Sequence, residues 1–205
     1  IRVYRGLQLQ LVVYMDAAME MLRGQHPKKE ILPGGILYYH IDDPVLESDT
    51  PLSEEEAEQA LLFALRPDGL VNSGEEIYRA MDQNFEGKSQ MIPVEIKKNG
   101  EISTARSKVA STEEFAVITR YVEHEIRQCG EAIYAGNIAV NPYRSDIETS
   151  CTYCPYASVC GMDAKIPGYE YRDIGTMGKE EAMAAMRIEQ RESENDRKGG
   201  NQEWV

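Results

Sequence analysis

The stretch Arg5-Gly-Leu-Gln8-Leu-Gln10-Leu-Val-Val-Tyr14-Met-Asp-Ala-Ala-Met-Glu-Met-Leu22 decides how this chain folds. Leu7, Leu11, Ala18 and Leu22 recur at helical spacing and make one stripe, while Leu9, Val12, Val13 and Met21 fill much of the remaining surface. The pattern predicts a helix from Arg5 to Leu22, stopped at Gly24 with Pro27 following. A helix this apolar is expected to be buried on more than one side. Gln8 and Gln10 then need partners, because buried amides are almost always hydrogen-bonded. Gln10 and Tyr14 are four residues apart and share a face, so an amide and a phenol point the same way and could line a polar site. The plainer expectation is that both sit at the helix rim, bonded to backbone or water.

Pro33-Gly-Gly-Ile36-Leu-Tyr-Tyr-His40-Ile-Asp42 reads as a strand that follows the helix directly, which suggests a sheet packed by helices. His40 reads as a residue at the sheet end. The charged stretch 45–75 looks peripheral. Ser53-Glu-Glu-Glu56 and Ser73-Gly-Glu-Glu76 are capping boxes that open short helices, to about Arg66 and Asn84. The acidic run Glu54 to Glu58 lies where a helix start favours carboxylates, so it reads as a solvated cap and not as a metal site. Met91 to Ser103 is a hairpin candidate around Asn99-Gly100, a pair suited to a mirror-image two-residue turn. Ser111-Thr-Glu-Glu114 is a third capping box and opens the longest helix, about Thr112 to Tyr134. On it Phe115, Ile118, Val122, Ile126, Cys129 and Ile133 share one face, which makes Cys129 a core residue, with His124 opposite and exposed. An extended exit follows, then a short strand near Tyr169 to Arg172, a helix from Lys179 to Arg191, and a frayed polar tail.

Cys151-Thr-Tyr-Cys154-Pro-Tyr-Ala-Ser-Val-Cys160-Gly161 holds three of the four cysteines, spaced C-x2-C-x5-C. Packing gives no reason for such crowding. Two thiolates separated by two residues can reach one ion or one cluster edge from a single tight turn, and Pro155 and Gly161 supply stiffness and reversal around it. Free or disulfide-paired thiols are the simpler alternative, at odds with how rarely cytosolic chains keep disulfides. Spacing alone does not separate a metal ion from an iron–sulfur cluster. Both normally take four protein ligands, so one is lacking here. Cys129, His124 and His40 are candidates, as is a ligand outside this chain.

The composition is that of a globular chain, 42% apolar and 28% charged over 205 residues, enough for one core and a small appendage. A formal net charge of −13 excludes a strong nucleic-acid grip by the surface as a whole, though local basic patches or a partner protein could supply one. No run is apolar for long enough to span a membrane, and no signal-peptide pattern opens the chain. The cysteine array fits a reducing cytoplasm.

These residues resemble a known family. Arg5 to Asp16 resembles the Gln/Tyr helix of the RecB-type nuclease domain. Ser107-Lys-Val-Ala-Ser111 and Cys151 to Gly161 resemble the C-terminal end of the AddB family, the B subunits of bacterial ATP-dependent helicase/deoxyribonucleases. The resemblance runs to about Asp173, and over 45–105 it is one of general character only. It implies an α/β (α+β) restriction-endonuclease-like PD-(D/E)xK fold, truncated here, with a mixed sheet flanked by helices and a C-terminal cysteine-cluster segment. Gln10 and Tyr14 match the family's Q-x3-Y motif, which helps set the active site near the metal or the DNA. The metal-binding acids and the lysine sit in the family on strands before that helix. Since the chain opens at Ile1 without methionine, it is expected to be a fragment that lacks them and cleaves nothing by itself. Cys151, Cys154 and Cys160 match three of the four ligands of a [4Fe–4S] cluster whose first ligand lies far upstream. A clasp across so long a loop would act as a staple worth a few kcal/mol, by analogy with disulfides. The resemblance further implies Mg2+-dependent hydrolysis of DNA phosphodiesters, a heterodimer with the AddA helicase-nuclease subunit, a cytoplasmic setting without membrane, and the processing of double-strand break ends for recombinational repair.

The expected division is 1–44 as the C-terminal part of the nuclease core, 45–110 as a peripheral insertion with a hairpin, 111–175 as the long helix and iron–sulfur staple, and 176–205 as the last helix and tail. Two alternatives remain open. One is a zinc-stabilised interaction module using Cys151, Cys154, Cys160 and either Cys129 or His124. The other is a different RecB-like exonuclease, such as a CRISPR-associated one.

Overall fold

In the computed structural model, residues 2–39, 41, 44–46, 48, 50–83, 85–146 and 148–199 are described, with side chains to Arg191. His40, Asn84 and the end of the tail lie outside the described residues. Two units form, Gln10–Thr119 and Ile1–Leu9 with Arg120–Val205.

The first unit is built on a mixed three-stranded sheet. Its elements run α1 (Gln10–Gln25), β1 (Gly35–Tyr38), α2 (Glu54–Ala64), β2 (Asp68–Asn72), α3 (Glu75–Met81), β3 (Val109–Ala110) and the first turns of α4 (Thr112–Tyr134). β2 lies in the middle, antiparallel to β1 with Gly35 beside Val71, and parallel to β3 with Val71 beside Val109. The stretch 45–110, expected as a peripheral insertion with a hairpin, contributes β2, which pairs with β1 and β3. Pro67-Asp68-Gly69 reads as a helix breaker, yet Gly69 serves the strand: a Cβ there would collide with the carbonyl oxygen of Ile36. Val71, Tyr78, Phe85, Ile92, Val94, Ile96 and Val109 form the core of this unit.

Several expectations are corrected. α1 begins at Gln10, not Arg5. Residues 2–6 form turns, with Gly6 at φ 75° and its N–H donated to the Val3 carbonyl at 3.0 Å, so Gln8 stands outside the helix. Of α1 only Val12 is buried, and Val13, Tyr14, Met21 and Leu22 are exposed. The capping boxes at Ser53 and Ser111 form. That at Ser73 does not, because Gly74 is the N-cap of α3 and makes no side-chain bond. At the hairpin tip Gly100 alone takes a left-handed φ, 86°, and Lys97 bonds both Gly100 and Glu101. That is a turn closed by a left-handed glycine, not the two-residue mirror-image type.

The second unit contains the rest of α4, β4 (Tyr143–Arg144), α5 (Ala157–Cys160), β5 (Arg172–Asp173) and α6 (Lys179–Gly199). α6 runs further than the Arg191 expected. Tyr121, Val122, Ile174, Ala182, Met183 and Met186 are buried here. The N-terminal turn is tied to both long helices: Tyr121 donates to the Tyr4 carbonyl at 2.7 Å, and Tyr4 donates to Glu189 at 2.9 Å. The apolar stripe of α4 is covered at Phe115, Ile118 and Val122, but Ile126, Cys129 and Ile133 are exposed, which overturns Cys129 as a core residue. Periodicity assigns residues to a face and does not say how far along the helix that face is covered. His124 is half-buried, not exposed. No helix among the described residues is long and apolar enough to cross a membrane.

Candidate functional site

Gln10 is the first residue of α1 and Tyr14 follows one turn later. The Gln10 amide donates from Nε2 to the Tyr14 hydroxyl oxygen at 2.6 Å. Both side chains are exposed, so their mutual bond was not forced by burial. With its oxygen accepting, the phenol keeps a proton to donate, and the Gln10 carbonyl keeps acceptor lone pairs. Tyr14 also edges an open apolar groove in which Leu11, Met15 and Leu22 of α1 face Ile31, Leu32 and Leu37. A polar pair at the lip of an apolar trough is suited to orienting a ligand. The pair itself contains no carboxylate or imidazole to serve as a general base.

The cysteine segment lies wholly in the second unit. Cys154 donates its N–H to the Cys151 carbonyl at 3.3 Å, which closes the C-x2-C turn, and Cys160 ends α5, which Gly161 caps at φ 65°. All four cysteines are free; Cys151 and Cys154 are half-buried, while Cys129 and Cys160 are exposed. Three unpaired soft donors on one continuous turn fit an iron–sulfur cluster or a thiophilic metal in kind. Among the described residues, no three His, Cys, Asp or Glu side chains converge as a group able to hold a metal ion. The three thiols thus share a segment without closing around an ion by themselves. Of the in-chain candidates for a fourth ligand, neither Cys129, exposed on α4, nor His124, whose Nε2 lies 3.5 Å from Gln128 Nε2, forms such a group with them, and His40 lies outside the described residues.

Residues that the sequence did not single out surround Cys151. The Tyr171 phenol neighbours Cys151, which is the largest cause of its raised pKa. Arg144 grips Asp173 with two bonds, of 2.8 and 3.0 Å, which holds the Asp173 carboxyl below the usual range. The only signal for these roles was the expected short strand near Tyr169 to Arg172, and a strand does not name its neighbour.

Residues 2–161 match the PD-(D/E)XK nuclease superfamily, so the chain belongs to that superfamily. Among curated proteins it is similar to the ATP-dependent helicase/deoxyribonuclease B subunit of Lachnoclostridium phytofermentans, 40% identical over 91% of this chain and 16% of that protein. The corresponding B subunit of a Thermoanaerobacter species, strain X514, is 38% identical over 87% of this chain and 15% of its own length. That of Clostridium novyi is 37% identical over 93% and 17%. The chain therefore spans about a sixth of the length of these relatives.

Proposed function

We propose that this chain is the C-terminal part of the nuclease domain in the B subunit of an ATP-dependent helicase/deoxyribonuclease, which processes double-strand break ends in the cytoplasm for recombinational repair. One observation carries the reading: a single family match over residues 2–161 takes in the Gln10–Tyr14 pair and all three clustered cysteines. The similarity to B subunits from several bacteria supports it. The partner is a helicase-nuclease of the AddA kind and the substrate is DNA.

The reaction is hydrolysis of a DNA phosphodiester. Mg2+ held by the family's acids, none of which is assigned to a residue here, would supply an activated water and charge stabilisation at the phosphate. Gln10 and Tyr14 orient the strand or the metal-bound groups by hydrogen bonds from the lip of α1. Cys151, Cys154 and Cys160 provide three ligands of a [4Fe–4S] cluster, with the fourth from elsewhere in the protein, and the cluster supplies a cross-link. The test is a cleavage assay on linear duplex DNA with Mg2+. The intact heterodimer degrades it, and residues 1–205 alone leave it whole. Cleavage by the 205-residue piece that vanished on Tyr14→Phe would overturn the division of labour.

A further inference from the structure

The loop that carries all three clustered cysteines is fastened at its foot. β4 leads into it and β5 leads out, and the two lie side by side in parallel, Tyr143 beside Arg172 and Arg144 beside Asp173. Arg172 donates its N–H to the Pro142 carbonyl and Ile174 to the Arg144 carbonyl, each at 2.9 Å. Across this seam Arg144 donates from Nε and Nη2 to the two carboxylate oxygens of Asp173, at 2.8 and 3.0 Å. A forked guanidinium–carboxylate pair fixes direction as well as distance. The same guanidinium lies 5.5 Å from the centre of the Tyr171 ring.

The fastening continues to the first cysteine. Tyr143 donates its N–H to the Ser150 hydroxyl at 3.0 Å, and Ser150 returns its N–H to the Tyr143 carbonyl at 3.1 Å. Thr149 pairs with Arg144 in an isolated antiparallel bridge, and its hydroxyl oxygen accepts the Cys151 N–H at 3.2 Å. The backbone of Cys151 is thereby held at the foot of the loop. Cys154 and Cys160 lie further out, on the turn and on α5.

We propose that the β4–β5 clasp, through the Arg144–Asp173 pair, positions Cys151 as the fixed ligand of the iron–sulfur site, on which Cys154 and Cys160 close. The inference rests on the reading of these cysteines as cluster ligands. Partners that orient a metal ligand matter nearly as much as the ligands themselves. A ligand held in place beforehand also loses less freedom when it binds. Arg144 and Asp173 are positioning residues, since neither is a ligand.

The experiment uses the intact protein with its partner, prepared without oxygen, as wild type and as Arg144→Gln, Asp173→Asn and the Arg144→Gln/Asp173→Asn double variant. Iron and acid-labile sulfide are counted per chain, and the rate of iron release to EDTA is followed. Each single variant is expected to release iron about tenfold faster than wild type, in line with other partners of metal ligands. The double variant should be no faster than its singles, because either change breaks the same pair. In cluster-free protein, iodoacetamide should modify Cys151 more slowly than Cys154 and Cys160, and Asp173→Asn should erase the difference. A fully loaded wild type and fully loaded variants with equal release rates would overturn the clasp and leave the cluster reading standing. A wild type without iron and sulfide would overturn the cluster reading, and with it the clasp's role, however slowly Cys151 reacts.

Discussion

The amide nitrogen of Gln10 lies 2.6 Å from the hydroxyl oxygen of Tyr14, one turn along an exposed helix face. Neither group is needed to satisfy a buried partner, so their cost to the fold is small and their value lies in what they present. In the intact protein Gln10→Ala and Tyr14→Phe should each slow Mg2+-dependent DNA cleavage by about 10- to 100-fold, as expected when a positioning contact is lost. Stability should change by less than about 0.5 kcal/mol, the usual range for surface substitutions. Initial cleavage rates and urea midpoints measured together check this. Unchanged rates would reduce the pair to a rim contact.

Lys108 Nζ sits 2.6 and 2.7 Å from the two carboxylate oxygens of Asp68, tying β2 to the approach of β3. The lysine's hydrogen bonds are the main reason the Asp68 carboxyl titrates below its ordinary 3.8. A depressed carboxyl adds stability that is complete above 3.8 and is lost as pH falls through the folded value. The side chains are 54% and 60% exposed, so solvent screens the pair. Asp68→Asn should therefore cost about 0.5–1 kcal/mol at pH 7. In urea titrations stepped down in pH, the gap between wild type and variant should close only below the ordinary carboxyl value. A gap that stays constant to the lowest pH would show that the charge is not its source.

How far the sequence could be read follows from what each pattern encodes. Phe115, Ile118 and Val122 announced a buried face of α4 because helical spacing records which residues share a side. The exposure of Ile126, Cys129 and Ile133 further along that side was not legible, since spacing is silent about where the covering layer stops. The same limit explains α1, whose apolar residues were read as doubly buried but flank an open groove. β2 was missed because Asp68-Gly69 carries turn chemistry, while its strand role depends on the close passage of Ile36, which lies 33 positions earlier in the chain. The Gln10–Tyr14 contact was legible because it is local. The grip of Arg144 on Asp173 was not, because it is made between segments 29 positions apart through a pairing of only two residues on each strand.

Asn72 is 1% exposed and spends its amide on three segments. Its Nδ2 donates to the Pro33 carbonyl at 2.8 Å and to the Thr112 hydroxyl at 3.0 Å, and its Oδ1 accepts the Gly74 N–H at 2.9 Å. These bonds link the entry to β1, the start of α3 and the start of α4. Asn72→Ala strands a carbonyl and an N–H and should cost about 2–4 kcal/mol. Asn72→Asp should cost at least as much, because a carboxylate at Nδ2's position would face the Pro33 carbonyl with no proton between them. Urea unfolding measures both, and a loss under about 0.5 kcal/mol for Ala would mean that water replaces the amide without cost.

Glu125 on α4 is half-buried, and burial first, then the neighbouring Glu189, pushes its carboxyl above the ordinary 4.5; His124 and Arg172 offset part of this. The sign is opposite to that of Asp68. Over the interval above 4.5 the folded chain still holds a proton that the unfolded chain has released. Stability therefore falls as pH rises from 4.5 through the raised value, and above that it stays lower by a constant amount. Glu125→Gln removes the charge and keeps the shape, so it should stabilise the protein at pH 7 by about 0.5 kcal/mol after allowance for solvent screening. The advantage should hold from pH 7 down to the raised value and shrink only between that value and 4.5, the interval in which the folded wild type takes up its proton before the unfolded chain does. Glu189 should tolerate the same exchange less well, because its carboxylate accepts the Tyr4 hydroxyl at 2.9 Å and so helps to hold the N-terminal turn. Melting temperatures of the two variants at pH 7 and pH 4.5 separate these effects. A Glu125→Gln protein that melts lower than wild type at pH 7 would mean that His124 and Arg172 outweigh Glu189 at this position.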